Sequence, residues 1–211
     1  MGRYTGPVCR KCRREGMKLF LKGARCYMAK CPIDQGHGAP GMHGAHSKGR
    51  NKMSDYGTQL REKQRLRAQY GLQEGQFRRT YDEAIRRKGV TGDILLQLLE
   101  TRLDNVIYRM GFASSRNLAR QFVRHNHVEV NGRKVNIPSY TVVAGDVVSV
   151  RDRDKSKAIA KASFEGSTQR QMPTWLKVDA NAFTAEVVSI PTREEIAPIV
   201  DEMLVVELYS R

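Results

Sequence analysis

Long apolar runs are missing from this sequence. No stretch approaches the roughly 20 apolar residues needed to span a bilayer, and the polar start, Met1 to Gly6, lacks the apolar core of a signal peptide. These absences lead to the expectation of a cytosolic chain. Aromatic residues make up 7% of the 211 positions, with a single tryptophan, Trp175. Glycine-rich phosphate loops of the nucleotide-binding kinds are missing, as is any nucleophile–base pair of defensible spacing. Cysteine does not occur after position 31, and the first ninety residues hold only 7 acidic side chains against 21 basic ones.

What is present in excess is positive charge. The chain carries 37 basic and 22 acidic residues, a formal net charge of +15. A compact protein so unbalanced repels itself, and a polyanionic partner is the usual reason for tolerating the repulsion. The excess is confined to residues 1–90, because residues 91–211 hold 16 basic and 15 acidic groups and residues 179–211 hold 2 and 7. A face kept basic for solubility requires no such segregation. An anionic membrane surface would want a basic helix with a strong apolar face, whereas the basic segments here are broken by glycine. Nucleic acid is therefore the expected partner, with the acidic end left for a protein neighbour.

The four cysteines are spaced Cys9-x-x-Cys12, thirteen residues, then Cys26-x4-Cys31. Two such pairs can supply a tetrahedral shell of four thiolates. Residues 1–50 also contain nine of the eighteen glycines and show no sustained periodicity. A segment so poor in aliphatic side chains must be held by a metal or a partner. Arg10, Lys11, Arg13, Arg14, Arg25 and Lys30 are placed to lower the thiol pKa values. A cytosolic setting argues against disulfides. A redox pair would need a βαβ context, and a c-type haem would need His, not Arg, at position 13. Zinc is the expected occupant, with an iron–sulfur cluster on the same four thiolates as the alternative. His37, His43 and His46 lie close by in sequence, but a structural zinc site closes at four ligands.

From Ser54 to about Arg87 the pattern is helical: a Ser54 or Asp55 cap, a stop at Tyr70-Gly71, then Phe77, Tyr81, Ala84 and Ile85 at helical spacing, with Lys88-Gly89 as terminator. The opposite faces carry Arg61, Lys63, Arg65, Arg67, Arg78, Arg79, Arg86 and Arg87, placed to meet phosphate. A leucine-rich helix follows, from Thr91 or Gly92 to about Leu103. Residues 104–151 read as a separate small α+β unit. It comprises a short helix closed by Gly111, a helix capped by Ser114 or Ser115 and running to Arg124, a strand at Val128–Val130, and a hairpin turn at Asn131-Gly132. Val142-Val143 and Val147–Val150 supply more strand, and a helix lies in Ala158–Phe164. The end, from Pro173, holds short strands or helix turns at Val187–Pro191 and Met203–Tyr209.

Arg116, Arg120 and Arg124 recur every four residues, so they stack along one helix face, which leads to His125, His127 and the Asn131-Gly132 turn. Guanidiniums and imidazoles gathered in this way suit the phosphate backbone of a shaped RNA. The stretch from Ser115 to Val135 resembles the RNA-binding domain named after small-subunit ribosomal protein four. The resemblance extends over essentially the whole chain: Met1–Arg10, Ser54-Asp55-Tyr56, Leu60–Gln64, Leu99–Val106 and Val206–Arg211 all look like that bacterial family. The motifs are specific in combination, since the small domain alone also occurs in pseudouridine synthases and some tRNA synthetases.

The resemblance implies an α+β fold with an N-terminal metal knuckle (1–45) and a helical rRNA-binding domain (46–98, completed by 172–211). Into the helical domain is inserted a small RNA-binding module (99–165), and the C-terminal segment (172–211) packs back on the helices. It implies a structural constituent of the small ribosomal subunit that binds its rRNA directly, nucleates assembly of the subunit body and contributes to translational accuracy. Neighbouring ribosomal proteins would be partners, as would messenger RNA at the entry path, but no membrane. Family members often have Gly at the position of Asn126, so Asn126 is expected in the left-handed conformation it tolerates second best. Many relatives lack the cysteines, making the metal a feature of a subset.

The residues assigned to RNA are Arg3, Arg10, Arg13, Arg14, Arg50, Arg61, Arg65 and Arg67 in the N-terminal part. In the module they are Arg116, Arg120, Arg124, His125, His127, Asn131 and Arg133. An RNA-modifying enzyme sharing the module would need a catalytic domain, and the roughly one hundred residues outside the knuckle and module are too few for one. A zinc-knuckle DNA-binding regulator would need a recognition helix and usually dimer symmetry. No enzymatic activity is expected.

Overall fold

A computed structural model of the chain describes residues 3–42, 44, 53–166 and 171–210. Arg50, His43 and His46 lie outside the described residues. The chain divides into two compact units, one within residues 1–95 and 198–211 and the other within 96–197.

In the first unit a short helix, α1 (Cys9–Glu15), ends at Gly16, whose φ of 70° lies in the left-handed region. A 3-10 turn, Gly23–Tyr27, follows. Helix α2 (Asp55–Gln69) starts as its sequence dictates: the Ser54 hydroxyl accepts from the Gly57 N–H at 3.2 Å, satisfying a donor that the first turn cannot pair internally. It closes at Tyr70, before Gly71 at φ 67°. Helix α3 (Glu74–Arg86) buries Phe77, Tyr81 and Ala84 on one stripe. Ile85, expected on that stripe, is 55% exposed, because one step of about 100° beyond Ala84 carries it off the buried face. Helix α4 (Thr91–Glu100) contains the division between the units.

The second unit opens with α5 (Leu103–Arg109) and α6 (Arg116–Arg124), the latter capped by the Ser115 hydroxyl accepting from Leu118 N–H at 3.3 Å. Past its end Asn126 takes φ 62°, the left-handed value expected of it. Five strands, β1 (Val128–Val130), β2 (Arg133–Lys134), β3 (Val147–Val150), β4 (Leu176–Asp179) and β5 (Thr184–Val187), form one antiparallel sheet in the order β2-β1-β3-β5-β4. Asn131 and Gly132, at φ 50° and 73°, make the turn between β1 and β2 that such a pair favours. Helix α7 (Asp154–Glu165) and the single turn α8 (Arg193–Ile196), started by a Thr192–Glu195 capping box, complete the unit. Its core, among the described residues, holds twenty buried apolar side chains, including Phe112, Phe122, Val148, Trp175 and Val187.

Two expectations need correction. The module does not end near residue 165, and residues 172–197 do not return to the helical domain. β5 pairs with β3 (Val148 opposite Ala185), and β4 pairs with β5, burying Trp175, Leu176, Ala185 and Val187 in the module core. Only the segment from 198 on belongs with the helices. There α9 (Glu202–Tyr209) brings the Tyr209 ring within 4.6 Å of Tyr81 and 6.1 Å of Phe77, centroid to centroid. Second, Val142-Val143 is not a strand. The Asp146 carboxylate accepts from the Val143 N–H at 2.9 Å, folding this stretch into a turn, and the neighbouring Thr141 makes an isolated bridge with Arg102.

Candidate nucleic-acid interface and cysteine cluster

The α2 basic stripe meets carboxylates of its own unit. Glu15, at the end of α1, accepts from Arg61 and Arg65 at 3.2 Å each while its side chain is only 7% exposed. Arg65 also bonds Glu62. Glu74 takes Lys63 at 2.7 Å, Arg67 at 3.3 Å and the Tyr209 hydroxyl at 2.7 Å. Burial works to raise the Glu74 pKa, but the Lys63 and Tyr209 hydrogen bonds outweigh it and hold the group below its usual range. Arg13 donates to the carbonyls of Gly38 and Ala39 at 2.7 and 3.3 Å, tying down the loop after the fourth cysteine. Arg13, Arg61, Arg65 and Arg67 therefore hold the unit together, which spacing along one helix could not reveal. Arg3, Arg10 and Arg14 are exposed. So are Arg79, Arg86 and Lys88 on and after α3; they belong to the solvent-facing basic surface, although the expected RNA contacts lay on α2.

In the module the α6 arginines also depart from expectation. Glu100 is fully buried and accepts from Arg109 at 2.6 and 2.9 Å and from Asn105 at 2.6 Å. Arg116 lies 4.0 Å from Glu100, donates to Asn105 Oδ1 at 2.8 Å and stacks over Tyr108 at 4.5 Å. Asp104 is bracketed by Arg102 at 2.9 and 3.1 Å and by Arg120 at 3.4 Å, and Arg120 is buried. Two of the three arginines thus point into the unit, because charges removed from water must be paired. Arg124 and His125 remain exposed at the helix end. His127 stacks on Phe122 at 4.8 Å and shares a 2.8 Å hydrogen bond with Ser156. Burial, with help from His125 and Arg153, pushes its pKa down. The Asn131 side chain is occupied as well, donating to Asp146 at 2.8 Å and accepting from Val147 N–H at 2.9 Å. Arg133 and Lys134 are exposed on β2.

The four thiols border one pocket, along with Lys18, Phe20, Lys22, Arg25 and Pro32. Cys12, Cys26 and Cys31 are buried, above a small cluster of Leu19, Leu21 and Ala68. Among the described residues, however, no three side chains of the ligand types stand as a group ready to hold an ion. The thiol pKa values also differ from expectation. Burial pushes Cys12 and Cys26 up, reinforced by neighbouring thiols, and the surrounding arginines do not reverse it. Backbone N–H groups work the other way: those of Leu19 and Lys22 aim at the Cys12 and Cys26 sulfurs, the second at 3.4 Å. Such donors favour the thiolate over the thiol.

Comparison with known proteins places both units. Residues 3–100 match the family model described as Ribosomal protein S4/S9 N-terminal domain, and residues 101–148 match the S4 domain. Over its full 211 residues, and over the full length of each relative, the chain is 55% identical to the small ribosomal subunit protein uS4 of Heliobacterium modesticaldum (strain ATCC 51547 / Ice1). It is 56% identical to that of Thermoanaerobacter sp. (strain X514) and 54% identical to that of Geobacter sp. (strain M21), again over the whole of both chains.

The chain belongs to the small ribosomal subunit protein uS4 family.

The S4-domain match stops within β3, so α7, β4 and β5 lie beyond the matched part of this uS4-family chain. The exposed Arg124, His125, Arg133 and Lys134 fall inside it. Among the described residues no helix is long and apolar enough to cross a membrane.

Proposed function

We propose that the protein is a non-enzymatic constituent of the small ribosomal subunit in the cytoplasm and binds the subunit's rRNA directly. Full-length identity of about 55% to uS4 proteins carries this reading. The residues that would contact the RNA are the exposed cations: Arg3, Arg10, Arg14, Arg79 and Arg86 in the first unit, Arg124, His125, Arg133 and Lys134 in the second. Each phosphate neutralised releases counterions, so affinity for purified small-subunit rRNA should fall linearly on a log–log salt plot with slope about −0.7 to −0.9 per contact. A flat salt response would overturn the reading. Early binding that nucleates assembly of the subunit body, contact with neighbouring ribosomal proteins, an influence on accuracy and proximity to messenger RNA at the entry path belong to the same proposal.

Cys9, Cys12, Cys26 and Cys31 would hold a structural zinc ion, with an iron–sulfur cluster as the alternative. Support comes from their shared pocket and from the N–H groups aimed at two of the sulfurs. The ion would supply cross-linking where the segment has few apolar side chains of its own. Metal analysis of anaerobically purified protein decides: one zinc in a colourless solution, or iron and acid-labile sulfide in a brown one. Neither metal would overturn the site.

A further inference from the structure

Beyond the matched S4 domain, the second unit contains a cleft of about 520 Å³ between α7 and the β4–β5 hairpin. This size suits a small organic group. Helix α7 contributes Lys157, Ala158, Lys161, Phe164 and Glu165, and the hairpin contributes Ala180, Asn181 and Phe183. Its two aromatic side chains are half-buried. Phe164 and Phe183 each pack against Phe112 with centroids 6.0 Å apart, so Phe112 backs both rings from within the core.

The hairpin is built to hold Phe183 where it is. The Asp179 carboxylate accepts from the N–H groups of Asn181 and Ala182 at 2.9 and 3.1 Å. Phe183 itself takes φ 53°, a left-handed conformation that a bulky side chain adopts only when its surroundings over-determine it. Along α7, Lys157 and Lys161 are one turn apart and so lie on one face. Lys157 pairs at 2.7 Å with Asp152, a carboxylate 92% exposed, and an ion pair so open to water is easily exchanged. Lys161 is exposed and has no ion pair among the described residues. The lining thus combines aromatic rings, ammonium groups, one carboxamide and one carboxylate. A ligand that meets all four has a flat π face, a negative charge, and donors and acceptors at its edge.

We propose that this cleft receives one unstacked nucleotide of an RNA strand, its base against Phe164 and Phe183 and its phosphate on Lys157 and Lys161. The proposal rests on the RNA-binding reading above. Aromatic side chains are the usual seat for a base taken out of its stack. Lysine binds phosphate as a point charge, and Asn181 and Glu165 can bond the base edge or the ribose hydroxyls. A free nucleotide shares this chemistry, so the test must separate the two sources.

Full-length protein with labelled phenylalanine is titrated with an adenine tetraribonucleotide, with adenosine monophosphate, and separately with small-subunit rRNA. The tetranucleotide should shift the Phe164 and Phe183 ring resonances, with adenosine monophosphate needing a concentration about tenfold higher. Lys161→Glu should weaken tetranucleotide binding about tenfold and flatten its salt slope by about 0.7. Phe183→Leu, which keeps an apolar contact with Phe112 but removes the π face, should weaken binding about tenfold with the salt slope unchanged. Equal affinity for the monophosphate would assign the cleft to free nucleotides and overturn the RNA source. Silent rings and unaffected variants in a protein that still binds rRNA would overturn the cleft alone. Failure to bind rRNA at any salt would overturn both readings.

Discussion

The cysteine segment and the RNA-binding module carry arginine for different ends. In the module twenty apolar side chains form the core, and Arg102, Arg109, Arg116 and Arg120 are drawn inward by Glu100 and Asp104. In the cysteine segment the buried apolar cluster is Cys12, Leu19 and Leu21, joined by Ala68 of α2, while Arg10 and Arg14 stay in solvent. One region can exclude water and therefore spends cations on architecture. The other buries far fewer side chains, ties down Arg13 on backbone carbonyls, and leaves Arg3, Arg10 and Arg14 in solvent. Spacing alone does not distinguish the two uses, since an arginine every fourth residue looks the same in both.

The sharpest break between the regions would come from removing the proposed metal. Structural zinc contributes on the order of 10 kcal/mol to small domains that depend on it. Chelation, or Cys12→Ser, should therefore abolish amide protection across residues 9–37 while residues 103–187 keep theirs. Equal protection before and after would leave the segment standing on its apolar cluster. Next in size is Glu100→Ala. It removes the carboxylate acceptor of the buried Asn105 amide and loosens Arg116, whose side chain is 10% exposed, while Arg109, 25% exposed, can rehydrate; the loss should be about 3 kcal/mol in urea unfolding of the module. A loss below 1 kcal/mol would mean that the arginines relax into water. The matching change in the first unit, Glu15→Ala, removes a carboxylate whose partners Arg61 and Arg65 are 28% and 24% exposed. The partners can rehydrate, so about 1–2 kcal/mol is expected, and a cost equal to that of Glu100→Ala would erase the distinction drawn here.

The smallest effect is a pH dependence. The folded-state pKa of His127 is depressed, chiefly by burial. Its stabilising contribution is present above the ordinary imidazole value of about 6.5 and is lost as pH falls through the folded-state pKa, because the unfolded chain takes up the proton first. Stability of the wild type should fall more steeply between pH 6.5 and 5 than that of His127→Gln, measured as the urea midpoint. Parallel curves would show that His127 titrates alike in both states.

Local signals were easy to read in the sequence. The Ser54 and Ser115 caps, the Asn131-Gly132 turn and the Asn126 bend all occur as their side chains dictate. What escaped notice depends on distant partners. β4 and β5 are four residues each, and β3, with which β5 pairs, lies more than thirty positions upstream. The Glu15 that occupies Arg61 and Arg65 is 46 and 50 positions away from them. A helical wheel ranks faces by composition, and no wheel shows that a carboxylate from another element has been placed against one of them. For the same reason α3 exposes Arg78, Arg79 and Arg86, whereas Arg61, Arg65 and Arg67 of α2 are only partly exposed.

The return of α9 to the helical unit has a consequence for the order of events during synthesis. A ribosome making this chain delivers residues 1–95, then the whole of the module, and only afterwards residues 198–210. The module's core and all five strands are complete in the nascent chain before Tyr209 exists to close over Phe77 and Tyr81. The helical unit, though its residues emerge first, is therefore finished last. Until then its Glu74, Gln59 and Glu62 wait for the Tyr209, Glu207 and Asp201 groups that bond them. A released chain truncated before residue 198 should thus have a folded module and an open, basic helical segment.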